Sequence, residues 1–378
     1  MPPLVVIGAG LAGWTAVREF RKLDTTTPVV LITADSGDFY AKPSLSNALA
    51  QKKAPGQLVT TPAAKMAETL GVTLVPFTRV ESLDIASRTV RTAGGVHPWS
   101  HLVLATGAQP IRVQFQGDAA DTVLSVNSLD DFTEFHARLA AGSRVLIMGA
   151  GLIGCEFAND LAGAGHKVSV VDPGPRPLAA LLPEQAGDSL RLSLESIGVT
   201  WHFGTAAQAV DRQGDALRVQ LSDGQVQLTD VVLSAVGLRA DMRLAQSAGI
   251  ACDRGILVDT ALQTSAPDVY ALGDCAQYAS AGSRTLPYVM PIMAAARALA
   301  ATLAGKRTDV QFALMPVSVK TPAYPIVVAS PVPGTQGTWH NADEGLWHFV
   351  DESLGRRGFV LAGRQTSRRA EMARELTA

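Results

Sequence analysis

The strongest constraint on the fold is a pattern that occurs twice. "LVVIGAGLAGWTAV" (Leu4–Val17) and "RVLIMGAGLIGCEFAND" (Arg144–Asp160) each pass from a short apolar run through G-x-G-x-x-G into a helical stretch. The glycines are Gly8, Gly10 and Gly13 in the first copy and Gly149, Gly151 and Gly154 in the second, 141 residues later. An apolar run without alternation reads as a parallel strand buried on both faces. The first glycine permits the tight turn, the second lets a pyrophosphate approach the backbone, and the third lets helix and strand pack closely. The helix N-terminus then offers free N–H groups and a partial positive charge to phosphates. A single copy also serves as a packing turn. Two copies in the same strand–turn–helix setting point to two dinucleotides, a resident flavin and a visiting nicotinamide.

The second strand of each unit should end near a carboxylate that takes the ribose hydroxyls. In the second unit "KVSVVDPG" places Asp172 there, 23 residues after Gly149. A carboxylate accepts from a free 2′-OH and repels a 2′-phosphate, which favours NADH over NADPH. Arg176, just beyond, reads as a solvated loop arginine rather than a phosphate clamp. The first unit departs from the pattern: "VVLITADSGDFY" has Thr33 and Ala34 where an acid often sits, with Asp35 next. Either Asp35 takes the ribose, or the backbone of Thr33 and Ala34 faces the adenosine half.

A chain of 378 residues exceeds one core, so two or three domains are expected. Hydrophobic content of 47% with 17% charged residues excludes a disordered or fibrous chain. A formal net charge of −2 gives no sign of nucleic-acid or acidic-membrane binding. No run of eighteen apolar residues suggests a membrane span, and no basic leader precedes the first strand. Three scattered cysteines, Cys155, Cys252 and Cys275, form no C-x-x-C or zinc pattern, so no metal is expected and a cytoplasmic setting is.

"HLVLATGAQPI" (His101–Ile111), with Thr106 and Gly107 in its turn, reads as the strand closing the first nucleotide domain. "DVVLSAVGLRA" (Asp230–Ala240), with Gly237, closes the second. "GILVDTALQTSAPDVYALGDCA" gives two strands and ends at Gly273–Asp274. "PYVMPIMAAARALAATLAG" opens a helix with Pro291 in its first turn, a favoured place for proline. The tail from about Val310 has short alternating runs broken by Pro and Gly, as in an antiparallel sheet. The expected class is α/β: two Rossmann-like domains plus a small C-terminal α+β domain. The expected division is 1–112 and 241–309 for the first nucleotide domain, 113–240 for the second, and 310–378 for the tail.

The paired glycine turns, "YAKPSLS", "LATGA", "GAGLIGCEFAND", "SAVGLR", "TSAPDVYALGDCA", "YVMPIMA" and "PVSVKTPAYP" together resemble the two-dinucleotide flavoprotein disulfide reductases, and among them the NADH:rubredoxin and flavorubredoxin reductases. The resemblance implies FAD and NADH (NAD+) as cofactors. It implies that Ala9, Gly10, Leu11 and Ala12 hold the FAD pyrophosphate, that Lys42 lies along the FAD, and that Val80 meets the adenine. It further implies that Asp274 binds the ribityl or phosphate portion and that Val289 meets the flavin pyrimidine end, where a helix N-terminus stabilises negative charge. Ile153 and Gly154 complete the nicotinamide turn. Glu156 lies near the nicotinamide and flavin face, and Lys320 approaches the flavin edge and can pair with Glu156. Read as residues alone, Asp274 also suits a helix N-cap, Glu156 a first-turn acid on its own helix dipole, and Lys42 and Lys320 solvated surface lysines.

Thiol-using relatives carry a cysteine where "PSLSNAL" has Asn47, and the ferredoxin-reductase branch usually has lysine there. Cys155 and Cys275 read as buried fillers. Without a thiol, electrons must leave from the flavin itself: a hydride is taken from NADH and electrons pass singly to a small carrier. The implied partner is rubredoxin, an acidic one-electron protein, feeding an alkane hydroxylase or an oxygen- or nitric-oxide-detoxifying system. Lys52, Lys53 and the arginines of the tail are candidates to receive it. The short tail suggests a monomer. The other readings are an NADH:ferredoxin reductase for a [2Fe–2S] carrier, and a non-catalytic NADH-responsive flavoprotein.

Overall fold

Leu4–Ile7 and Arg144–Met148 are built almost wholly of buried aliphatic residues, and each lies inside a parallel sheet. The computed structural model describes residues 2–377. Its contacts gather the chain into two interleaved units: residues 1–41, 59–109 and 238–313 form the first, and 42–58, 110–237 and 314–378 form the second.

In the first unit Leu4–Ile7 lies between Val29–Ile32 and His101–Leu104, with Val72–Val75 at one edge and Val269–Ala271 at the other. His101–Leu104 is therefore not the closing strand that its sequence suggested. Val269–Ala271 adds beyond it, because Val103 and Leu104 are buried on both sides and need a further neighbour. The Leu11–Arg21 helix and the long Val289–Leu303 helix pack on each other. Pro291 is the third residue of the latter, where its missing N–H costs no helical bond. One apolar core joins these elements, with Trp14, Trp99 and Tyr278 fully buried in it.

The second unit repeats the plan. Arg144–Met148 lies between Lys167–Asp172 and Val231–Ser234, and Val199–Phe203 follows at the edge. Here Val231–Ser234 does close the sheet. In both units a three-stranded antiparallel meander precedes the fourth parallel strand: Val80–Asp84, Thr89–Thr92 and Gly95–Pro98 in the first, and Ala207–Gln213, Ala216–Leu221 and Val226–Thr229 in the second. The tail folds as a five-stranded antiparallel sheet around Phe359 and Leu361, with the helix from Arg369 laid against it. The short segment Lys42–Leu58 belongs to this second unit rather than to the strands that flank it in sequence.

Candidate functional site

Both glycine turns have the same geometry. Gly8 has φ +105° and Gly149 φ +103°, which L side chains rarely adopt. A Cβ on Gly13 would lie 1.9 Å from the Gly8 carbonyl oxygen, and one on Gly154 1.9 Å from that of Gly149. A Cβ on Gly8 would meet Ala105 O at 2.2 Å, next to Thr106, and one on Gly149 would meet Ala235 O at 2.7 Å, two residues before Gly237. The middle glycines differ in kind: a Cβ on Gly10 or Gly151 would project into open space. Neither following helix is capped by a side chain, and the first helical bonds are Trp14 N–H to Gly10 O and Cys155 N–H to Gly151 O. Open space over a turn of uncapped N–H groups fits a pyrophosphate in both places.

The first turn is surrounded by its expected companions. Gly273 stands so close to Ala12 that a Cβ on it would lie 2.7 Å from the Ala12 methyl, which places Asp274 beside this turn. The backbone N–H and C=O of Thr33 are both taken, by Val75 O and Thr78 N–H. The Thr33 hydroxyl and the Gly37 N–H both donate to Oδ1 of Asp35, at 2.6 and 3.0 Å. Asp35 itself is exposed and keeps Oδ2 for an incoming donor, whereas the Thr33 N–H is committed and its carbonyl keeps one lone pair. Thr106 gives its hydroxyl to Asp241 O, and Gly107 O accepts the Asp241 N–H. Val80 begins a strand, and Val289 is exposed at the uncapped N-terminus of its helix.

At the second turn Asp172 accepts from two N–H groups, Ala150 to Oδ2 and Gly174 to Oδ1, both at 2.6 Å. The carboxylate thus fixes the glycine turn and remains able to accept further bonds, since each oxygen has two lone pairs. Cys155 Sγ donates to Ala150 O, and burial pushes its thiol well above the ordinary cysteine range. Cys275 is likewise buried and pushed up. All three cysteines are free, and the two buried ones are inert fillers rather than thiolates.

Glu156 is fully buried and lies in the second turn of its helix, so it is not the first-turn acid that helix-dipole stabilisation would need. A lone carboxylate there would carry a large desolvation cost. Three donors offset it: the Lys320 N–H reaches Oε1 at 2.9 Å, the Ser46 hydroxyl reaches Oε2 at 2.6 Å, and the Lys320 ammonium pairs with the same Oε2. The expected Glu156–Lys320 pair is therefore formed, and Ser46 is an addition that sequence reading missed. Two further polar groups share this helix face. Asn159 Oδ1 accepts from Ala323 N–H at 3.0 Å, and Asp160 accepts from Leu49 and Ala50 N–H at 2.9 Å each. Spacing of three and four residues puts 156, 159 and 160 on one face. That face ties down the loop after Lys42 and the loop after Lys320. Between those loops lies a hollow of about 350 Å³, walled by Pro43, Ser44, Asn47, Lys53 and Lys320 among others and without an acidic residue.

The profile of the pyridine nucleotide-disulphide oxidoreductase family matches residues 2–300. The chain belongs to this family. A second profile, the rubredoxin binding C-terminal domain, matches residues 309–376. The chain is 44% identical to the rubredoxin-NAD(+) reductase of Alcanivorax borkumensis, over 100% of this chain and 99% of that protein. It is 40% identical to a nitric oxide reductase FlRd-NAD(+) reductase of Aeromonas salmonicida, over 99% and 96% respectively. Among solved structures, a ferredoxin reductase from Rhodopseudomonas palustris superposes with a TM-score of 0.87 at 26% identity, covering 97% of this chain and 92% of the other. The chain is thus an oxidoreductase of a family built to bind FAD and NAD(H), with a rubredoxin-binding domain at its C-terminal end. Among the described residues no helix is long and apolar enough to cross a membrane.

Proposed function

We propose that this protein is a cytoplasmic flavoenzyme that takes reducing equivalents from NADH and hands electrons one at a time to rubredoxin. The observation that carries the reading is the Glu156–Lys320 pair, in which a lysine of the rubredoxin-binding domain is held by the helix of the second glycine turn. The relatives named above are reductases of rubredoxin or of a flavorubredoxin, which supports the same partner.

In this reading residues 1–112 and 241–309 hold FAD, 113–240 hold the nicotinamide dinucleotide, and 310–378 face the partner. Bound FAD supplies the conversion of a two-electron donor into single electrons. The chain's own residues bind, aim and balance charge. The turn from Gly8 to Gly13 holds the FAD pyrophosphate on its N–H groups, Asp35 takes the ribose, and Asp274 and Lys42 hold the intervening chain. The turn from Gly149 to Gly154 with Ile153 receives the nicotinamide dinucleotide, and Asp172 selects the free 2′-OH. Lys320 presents a positive charge and the Val289 helix end a partial one, so that negative charge arising on the bound cofactor is stabilised. Glu156 holds Lys320 in place by accepting from its backbone N–H and its ammonium. Lys53, with Lys52 beside it, edges the hollow next to Lys320 and offers acidic rubredoxin a basic approach.

The test is turnover of the FAD-loaded protein with NADH and either rubredoxin or a [2Fe–2S] ferredoxin as acceptor. Reduction of rubredoxin at a much higher kcat/KM is expected, and a preference for the ferredoxin would overturn the assignment. Reversing charge in the double variant Lys52→Glu, Lys53→Glu is expected to raise KM for rubredoxin and to flatten its dependence on salt. An unchanged KM would remove that loop from the docking surface.

A further inference from the structure

The segment Lys42–Asn47 is a 3-10 helix broken at Ser46, whose φ of −89° and ψ of 17° leave the helical region. Ser46 is 3% exposed. Its hydroxyl has two acceptors in reach: the Pro43 carbonyl at 3.5 Å, which would close its own turn, and Glu156 Oε2 at 2.6 Å. A hydroxyl has one proton to give, and the shorter bond to a carboxylate is the stronger. With that proton committed, the oxygen lone pairs accept from the Lys320 ammonium at 3.0 Å. The hydroxyl is thereby oriented, with the carboxylate on its proton side and the ammonium on its lone-pair side.

A lysine ammonium sits on a flexible four-carbon stem, and the Lys320 side chain is 34% exposed. One carboxylate oxygen alone would leave that group free to swing toward water. A second acceptor on a buried, kinked backbone removes this freedom. From this geometry we infer that Ser46 is a positioning residue: it pins the Lys320 ammonium on Glu156 at the wall of the hollow and so fixes where positive charge is presented to the bound flavin. The inference rests on the placement of Lys320 beside the flavin proposed above. The neighbouring Asn47 lines the same hollow and carries no thiol, so in this pocket a fixed charge is what the protein supplies.

The experiment uses the FAD-loaded full chain as wild type, Ser46→Ala and Ser46→Thr. Labelling of Lys320 by an amine-reactive reagent is read by peptide mass spectrometry, with exposed Lys52 and Lys53 as internal standards. The midpoint potential of the bound flavin is read by dye-coupled titration. Lys320 is expected to label about fivefold faster in Ser46→Ala, the factor for one lost hydrogen bond, with the standards unchanged and Ser46→Thr close to wild type. The potential is expected to become more negative in Ser46→Ala alone. Equal labelling of Lys320 in wild type and Ser46→Ala overturns the inference. Faster labelling with an unmoved potential upholds the hold of Ser46 on Lys320 and instead overturns the placement of Lys320 beside the flavin. If Ser46→Ala does not fold, Ser46→Cys, which weakens the acceptor at similar volume, is read by the same criteria.

Discussion

The two glycine turns share a backbone and part company one helical turn later. Their first glycines differ by 2° in φ (+105° and +103°), and their third glycines meet the first carbonyl at the same 1.9 Å. Counting on from each turn, Thr15 in the first helix corresponds to Glu156 in the second, Arg18 to Asn159, and Glu19 to Asp160. Thr15 is buried and accepts a long bond from Arg18, and Glu19 pairs with the exposed Lys22. In the second helix all three positions are buried and polar, and each binds chain from elsewhere in its unit. The repeat makes two turns of one geometry, each of which would suit a pyrophosphate. The helix behind the second cradle also organises charge.

The largest effect should come from filling a turn. Gly13→Val and Gly154→Val each drive a side chain into a backbone carbonyl, at a local cost of ~3 kcal/mol. If the cradles serve different dinucleotides, Gly13→Val should purify without its flavin, and Gly154→Val should keep its flavin and lose affinity for NAD+. Flavin content by absorbance and NAD+ binding by calorimetry check this, and identical phenotypes would break the comparison.

Next comes the charge behind the second turn. Lys320→Met leaves a fully buried carboxylate without its cation and should destabilise the protein by ~3 kcal/mol. Thr15→Val, at the equivalent place behind the first turn, replaces a near-isostere and should change stability by less than about 1 kcal/mol. Urea unfolding of the two variants, followed by fluorescence, tests the contrast.

These effects also mark what could be read from sequence. The turns were legible because their glycine spacing encodes local backbone geometry, and Asp172 because it follows its turn at a set distance. The Glu156–Lys320 pair was visible only through family resemblance, since the two residues are 164 apart in sequence. Ser46, Asn159 and Asp160 went unnoticed for the same reason: their partners lie 110, 164 and 111 residues away. One signal was available. "CEFAND" carries three polar residues at i, i+3 and i+4 of a helix otherwise apolar on that face, and such a stripe must be either exposed or paired. The strand ending before Gly273 was read from sequence, but its place beyond His101–Leu104 was not, because its residues come 165 positions after the strand it joins, Leu104 to Val269.

Smaller effects sharpen the comparison further. Asp160→Asn keeps one acceptor where the structure uses two, for Leu49 and Ala50, and should cost ~1–2 kcal/mol. Its pH dependence has a definite sign. Burial holds the Asp160 carboxyl above its ordinary value, opposed by the two N–H bonds and by Lys320. The folded chain therefore binds this proton more tightly than the unfolded chain does. That contribution to stability is complete below the unfolded value near ~3.9 and is lost as pH rises through the folded value. The penalty for Asp160→Asn should accordingly be larger at low pH than at neutrality, as measured by unfolding across that range.

The most direct test of two cradles with different guests is single-turnover kinetics. The FAD-loaded wild type and Gly154→Val are mixed with NADH in a stopped-flow instrument, and the flavin absorbance is followed, with oxidised rubredoxin added in a second mix. Rapid loss of absorbance in the wild type, recovery on adding rubredoxin, and a slow or absent first phase in Gly154→Val are the expected results. Equally rapid loss in Gly154→Val would mean that the second turn does not receive the nicotinamide, and the account of the repeat would be wrong.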